Sequence, residues 1–301
     1  MQFRNKNDPS HRITVHVMNA FALEKNGGNP AGVCMVDVEM PAVSMQKIAH
    51  EMGLSETVFV RQKSNQKYIT QFFTPLREVD LCGHATIAAF SFLYQQKIIT
   101  NQEIIQGTNI GELPVSIRSD GLVIMTQPLQ FIRQCKTPLS LYKCLNIPSP
   151  SDQTVLEPEI ISTGLPDILV PVTSRADLSS IQPDLNKMAE LLEWEQAASI
   201  HAFTLETPSS ITAYCRNFAP QLGISEEAAT GTASGALAVY LHRHLSFPPA
   251  QTHRFVFEQG HEMHRPSMIQ AELSPSNDNI TFVKIGGTAI HNPSGTRNFT
   301  I

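Results

Sequence analysis

Two short segments of this 301-residue chain carry residue types and spacing suited to chemistry on a small acid: Asp80-Leu-Cys-Gly-His-Ala-Thr-Ile87 and Ala229-Thr-Gly-Thr-Ala-Ser-Gly-Ala236. Each sets a glycine at the start of an apolar run that reads as a buried helix. The first N–H groups of a helix have no acceptor within it, and the aligned peptide dipoles leave partial positive charge there. Both starts are therefore anion sites, with a carboxylate as the natural guest. Gly83 and Gly231 would let that guest approach the backbone with no Cβ in the way. His84, just after the first glycine, reads either as a capping or core histidine or as an imidazole held neutral by the positive helix end, able to hydrogen-bond a substrate or relay a proton. Glu56, in Ser55-Glu-Thr-Val-Phe-Val60, is on the residues alone either an exposed strand carboxylate or an acid whose pKa its apolar neighbours Val58 and Phe59 raise towards neutral. Other motifs carry less. His261-Glu-Met-His264 lacks the spacing that puts two imidazoles on one helical face and reads as a surface turn. Gly231-Thr-Ala-Ser-Gly235 lacks the lysine of a phosphate loop, and no dinucleotide fingerprint is present.

The elements that must position these residues follow from periodicity. Residues 13–21 alternate as a half-buried strand, Gly27 to Gly32 reads as a loop, and Gly32 to Val36 as a second strand. Ser44 can cap a helix over Met45 to Met52 that ends at Gly53. Strands are expected over 55–60 and 68–73, the buried helix over 85–94, and a hairpin over 113–127 about Asp120-Gly121. The Pro-rich passage from Pro128 to Pro150 reads as a crossover. The second half repeats the order: strands near 155–173, a helix near Leu185 to Trp194, strands near 198–217, the helix Ala233 to Leu241, then strands at 253–259, 267–273 and 280–285. Gly231 lies 148 positions after Gly83, and Phe73-Thr-Pro75 falls against Phe218-Ala-Pro220 in the same order, which points to duplication. Each half is expected to be a curved, mainly antiparallel sheet around one helix, an α+β fold.

Length alone favours two domains of ordinary size. Hydrophobic residues make up 42% and charged ones 16%, a globular balance. A net charge of −5 with scattered Lys and Arg argues against a nucleic-acid surface. Five cysteines, odd in number and without CxxC pairing, argue against a disulfide framework or a zinc knuckle and suit a reducing compartment. No metal is expected. The polar N-terminus, Met1 to Arg12, lacks the apolar core of a signal peptide, and no apolar run approaches membrane-spanning length, so a cytoplasmic protein is expected and the sequons at Asn279 and Asn298 are idle.

Four segments resemble the PhzF-type, phenazine-biosynthesis-like family, whose fold is that of diaminopimelate epimerase: Asn19-Ala-Phe21 with Gly28-Asn-Pro-Ala-Gly32; Leu54-Ser-Glu-Thr-Val-Phe59; Phe73-Thr-Pro75 through Thr86; and Phe218-Ala-Pro220 through Thr232. Weaker matches are Ser162-Thr-Gly164, Gln259-Gly260 with Arg265-Pro266, and Ile285-Gly-Gly-Thr-Ala289. The resemblance implies two pseudo-symmetric domains, 1–128 and 129–285, with a strand from about 286–301 joining the first. It also implies an active site in the cleft between them, a homodimer, and no cofactor.

It further implies that Glu56 is the general acid/base shuttling a proton between carbons of a cyclohexadiene carboxylic acid, with His84 assisting. Where the phenazine enzyme has Asp-Pro-Ala-Thr-Gly-Ser, this chain has Glu227-Ala-Ala-Thr-Gly-Thr232, so the resemblance implies Glu227 and Thr232 as further catalytic residues, kept in type but altered in size. Asn29 is a further candidate for substrate contact. Related epimerases and racemases pair two facing thiols. Here Cys82 would face Thr230, whose hydroxyl is too weak an acid to replace a thiol, so Cys82 reads as a small buried apolar residue. The expected function is a cofactor-independent isomerase acting on a small cyclic or unsaturated carboxylic acid. The alternatives are a non-catalytic binding or scaffold protein keeping the fold, and a thiol-dependent epimerase.

Overall fold

A computed structural model describes residues 12–100, 102–149, 156–246, 251–274 and 280–300. The N-terminal segment read for a leader, up to residue 11, and the sequon at Asn279 lie outside them. In chain order the first half contains β1 (Arg12–Ala20), β2 (Asn29–Met35), α1 (Ala42–Met52), β3 (Glu56–Ser64), β4 (Lys67–Phe73), β5 (Glu78–Val79), α2 (Gly83–Gln95), β6 (Gln102–Thr108), β7 (Gly111–Ile117) and β8 (Val123–Pro128). After β9 (Phe131–Gln134) and α3 (Pro138–Leu145) come β10 (Glu159–Ser162), β11 (Pro166–Pro171), α4 (Arg175–Ser180), α5 (Leu185–Glu195), β12 (Ser199–Thr204), β13 (Ala213–Ala219) and β14 (Ile224–Glu227). The chain then runs through α6 (Gly231–His244), β15 (His253–Gln259), β16 (Ser267–Leu273), β17 (Phe282–Gly287) and β18 (Ala289–Thr300).

The strand pairing repeats. β1 to β8 pair in the order antiparallel, parallel, antiparallel, antiparallel, with β4 also parallel to β6 and β6–β7–β8 antiparallel. β10 to β17 follow the same scheme, with β11–β12 and β13–β15 as the parallel pairs. Two links join the copies. β8 and β17 pair antiparallel, Met125 opposite Ile285. The strands that follow them are exchanged: β9, after the first copy, pairs with β10 of the second, and β18, after the second, pairs with β1 of the first.

α2 packs on β1, β2, β3, β8 and β18, and α6 on β10, β11, β16 and β17. Every residue of α2 from His84 to Leu93 is buried, as its apolar circumference requires. One apolar cluster runs through both helices, including Ile87, Phe90, Leu237 and Tyr240. On the outer faces, α1 covers the first sheet through Met45, Ile48 and Met52, and α3, α4 and α5 cover the second through Leu145, Leu178 and Leu192. Among the described residues no helix is long and apolar enough to cross a membrane.

Several boundaries differ from expectation. Asn29 to Gly32 is strand rather than loop, because β2 begins there against β1, with Asn19 opposite Pro30. Ser44 lies inside α1, whose N-cap is Pro41 without a side-chain hydrogen bond. Gly53 ends that helix at φ +64°. The passage expected to be a plain crossover holds β9 and α3. α3 gains its cap from a distance: the buried Glu195 carboxylate accepts from Lys136 N and Thr137 N, each at 2.9 Å, satisfying amides that its own sequence leaves open.

Candidate active site

α2 and α6 both begin at a glycine, after extended residues Cys82 and Thr230. A Cβ built on Gly83 would meet nothing closer than Met125 Sδ at 3.6 Å, and one on Gly231 nothing closer than Ile285 Cγ2 and Phe21 Cζ at 3.5 Å. Packing inside the protein therefore tolerates a Cβ at both positions, and the first amides of each helix point to the space before its end. That is where a bound anion would meet the free amides.

Glu56 opens β3, which lies parallel to β2 with Ala31 opposite Glu56. Its Oε2 stands 3.1 Å from His84 Nε2, and the two side chains are only 16% and 7% exposed. Ser55 Oγ is 3.3 Å from the same nitrogen. On the other side of the ring, Nδ1 faces Glu227 Oε1 at 3.8 Å. Glu227 ends β14 and is gripped from both halves of the chain. Asn29 Nδ2 donates to its Oε1 at 2.8 Å, and Thr230 Oγ1 donates to its Oε2 at 2.6 Å. Gln259 Nε2 donates to the Glu227 carbonyl at 2.7 Å and to Thr230 Oγ1 at 3.1 Å. Glu56, His84, Glu227 and Asn29 thus converge across the boundary between the copies.

Thr232 does not join them. Its methyl lies against Gly164 in the β10–β11 turn, 3.2 Å from where a Cβ there would sit, and its hydroxyl makes no hydrogen bond to Glu56, His84 or Glu227. A groove of about 430 Å³ bounded by Val17, Pro30 and Leu54 opens on the opposite face of β2 from Asn29, because successive strand residues point to opposite sides.

The ionisation of the cluster differs from the sequence reading. Burial disfavours the charged form of His84, but the contacts with Cys82 and Glu56 outweigh it and hold the imidazole pKa well above its usual value. The Glu56 carboxylate is the partner that matters at neutral pH, since burial keeps the Cys82 thiol protonated. Burial likewise pushes the Glu56 carboxyl up, yet its charge attraction and hydrogen bond to His84 bring it below the ordinary value. The expected neutral imidazole and raised Glu56 are thus replaced by an imidazolium beside a carboxylate. Glu227 is raised, because desolvation exceeds the help of His84, Thr230 and Asn29.

Three residues that the sequence reading set aside or left without a role contact this centre. Cys82, taken as apolar packing, has its Sγ 3.4 Å from His84 Nδ1 and 4.0 Å from Nε2. Thr230 and Gln259 position Glu227. Their signal was the alignment of Thr230 with Cys82 and the Gln259-Gly260 pair. Together Glu56, Cys82 and His84 bring a carboxylate oxygen, a thiol sulfur and an imidazole nitrogen within 4.8 Å of one another, donor types that borderline transition metals accept.

With this geometry established, comparison with known proteins gives a family. A family model described as phenazine biosynthesis-like protein matches residues 18–295. The chain belongs to that family. An uncharacterized isomerase of Clostridium acetobutylicum is 30% identical over 289 residues, spanning 93% of this chain and 96% of its own length. The trans-2,3-dihydro-3-hydroxyanthranilate isomerase of Pseudomonas chlororaphis is 30% identical over 287 residues, spanning 93% and 97%. A solved PhzF-family phenazine biosynthesis protein of Bacillus anthracis superposes with a TM-score of 0.86 at 25% identity, over 96% of this chain and 99% of that one. The Bacillus anthracis protein thus shares this chain's fold, and the two curated relatives just described are named isomerases.

Proposed function

We propose that the protein is a cofactor-independent isomerase that moves a proton between carbons of a small cyclic or unsaturated carboxylic acid. The observation that carries this reading is the Glu56 carboxylate 3.1 Å from His84 at the start of α2, with Glu227 across the ring. Substrate carboxylate binds between the open amides at Gly83 and Gly231. Glu56, ionised and shielded from water, takes the proton from carbon; His84, charged, stabilises the electron-rich intermediate and keeps Glu56 aimed. Glu56 then returns the proton to a second carbon. Glu227, held by Asn29 and Thr230, fixes the far side of the imidazole. The Pseudomonas chlororaphis relative, named for a dihydro-hydroxyanthranilate isomerisation, supports a cyclohexadiene carboxylic acid as the first substrate to test.

The site lies between halves comprising about 1–128 with 286–301, and 129–285, and the working assembly is a homodimer, for which light scattering would read twice the chain mass. The test of the chemistry is deuterium incorporation from solvent into the dihydro-hydroxyanthranilate, followed by proton NMR. Glu56→Gln should lose it by about 10³-fold with the fold intact; retained exchange would refute the role of Glu56. If wild type and Glu56→Gln bind the acid equally and neither exchanges it, the binding-protein alternative prevails. A thiol-dependent epimerase is disfavoured because the Thr230 hydroxyl, opposite Cys82, is already spent as a donor to Glu227.

A further inference from the structure

Cys82 has no part in the proton transfer just described, yet it lies against both groups that perform it. Zinc bonds to carboxylate oxygen and imidazole nitrogen at about 2.0–2.2 Å and to sulfur at about 2.3 Å, so donors around a tetrahedral ion lie roughly 3.3–3.6 Å apart. In the protein, His84 Nε2 is 3.1 Å from Glu56 Oε2 and 4.0 Å from Cys82 Sγ. These two separations straddle the tetrahedral value, all three donors lie within 4.8 Å of one another, and a turn of the Cys82 side chain from Nδ1, 3.4 Å away, towards Nε2 would bring them onto one ion.

The surroundings complete the arrangement. A histidine that binds metal through one nitrogen commonly gives its other N–H to a carboxylate, which fixes ring and tautomer. With Nε2 on the ion, Nδ1 faces Glu227 Oε1 at 3.8 Å, and Glu227 is already tied by Asn29 and Thr230. Three protein donors leave a fourth position open in front of the helix ends, for water or a ligand carboxylate.

We propose that Glu56, Cys82 and His84 form a binding site for a divalent transition metal of the zinc type, and that occupancy switches the isomerase off. Binding replaces protons with the ion: the thiol proton and the proton that His84 shares with Glu56 leave to solvent, and sulfur, nitrogen and oxygen each donate an electron pair. The metal then holds the base and its imidazole partner in bonds that exclude proton transfer. Thiolate with imidazole selects zinc or cobalt over magnesium and calcium, which prefer oxygen donors. The switching half rests on the assignment of Glu56 and His84 as proton-transfer groups; the metal site does not.

The test uses the full chain, stripped with a chelator and titrated with zinc chloride against a chromophoric zinc indicator, and in parallel with cobalt chloride. Wild type should bind one equivalent more than Cys82→Ala at concentrations where the variant binds none, an affinity loss of about 100-fold. Cobalt should give a sulfur-to-metal charge-transfer band that Cys82→Ala abolishes. In the exchange assay, zinc should silence wild type, and whatever exchange Cys82→Ala retains should be resistant to zinc. His84→Asn, folded by circular dichroism, should also lose the cobalt band. Equal binding by wild type and Cys82→Ala, or a band that survives either substitution, would overturn the proposal. If metal binds as described but no acid is exchanged by the stripped protein, the site stands and the isomerase reading fails.

Discussion

At the scale of single residues, the Glu56–His84 pair sets the pH behaviour. Against the opposing effect of burial, His84 is raised by its contacts with Cys82 and Glu56, and Glu56 is lowered chiefly by His84. Carbon-13 NMR of labelled carboxylates should therefore find Glu56 titrating below the ordinary glutamate range, and His84→Gln should move it upward, since burial is then opposed only by the hydrogen bonds of Ser55 and Cys82. Asn29→Ala should raise Glu227 further by removing a donor to its Oε1. A second cluster lies deeper. Asp167 Oδ1 accepts from Ser199 Oγ at 2.6 Å, Ser199 also bonds Asn217, and Asn217 bonds His201. Burial raises Asp167 from 3.8 to about 7 and lowers His201 from 6.5 to about 4. Between about pH 4 and 6.5 the folded pair carries one proton on Asp167, and the unfolded pair carries one on His201. Their contributions to the pH slope of stability cancel there. Asp167→Asn should expose the His201 slope, with urea midpoints rising with pH across this window, and His201→Gln should expose the opposite slope. None of these pairings was legible in the sequence. Glu56, His84 and Glu227 were each identifiable from motif context, but their mutual distances arise from strand register between distant segments.

At the scale of elements, β14 is the piece that aims Glu227. Arg216 on β13 binds Glu226 with two parallel bonds of 2.8 Å, and its Nη1 donates to the Leu178 and Ile181 carbonyls. Successive strand residues face opposite ways, so clamping Glu226 outward turns Glu227 towards Asn29. Arg216→Met leaves the partly buried Glu226 carboxylate and the Leu178 and Ile181 carbonyls without their donor and should cost about 3 kcal/mol in denaturant unfolding, whereas Arg216→Met with Glu226→Leu should recover part of that loss. The two central helices, the hairpin about Asp120-Gly121 and the repeat were legible because their periodicity is unbroken. β2, α3 and β9 were misjudged because their ends are fixed by partners elsewhere: β1 extends β2 through Pro30, and Glu195 starts α3. Phe21 shows the same effect. It takes φ +61° and is 1% exposed, and a Cβ on Gly287 would stand 2.3 Å from its Cδ1. Gly287→Ala should lower Tm by several degrees, since backbone and ring cannot both stay.

At the scale of the whole molecule, the exchanged strands make one cooperative unit of two copies. β1 is completed by β18, β10 by β9, and β8 pairs with β17. Removing residues 289–301 should therefore strip amide-exchange protection from β1 at the opposite end of the sequence, and thermal unfolding of the intact chain should show a single transition. The duplication was visible from sequence; the exchange was not, since a strand pattern does not name its partner.

The pairing of β18 with β1 also orders events in time. During synthesis β1 is made well before β18, so one edge of β1 has no native partner until translation reaches β18. An exposed strand edge is a template for wrong pairing. The nascent chain thus carries a sticky border from the synthesis of β1 until that of β18, and Asn29 and Glu56 wait a shorter time, until Glu227 is made 198 and 171 residues later. A late strand thus closes the edge that an early one leaves open.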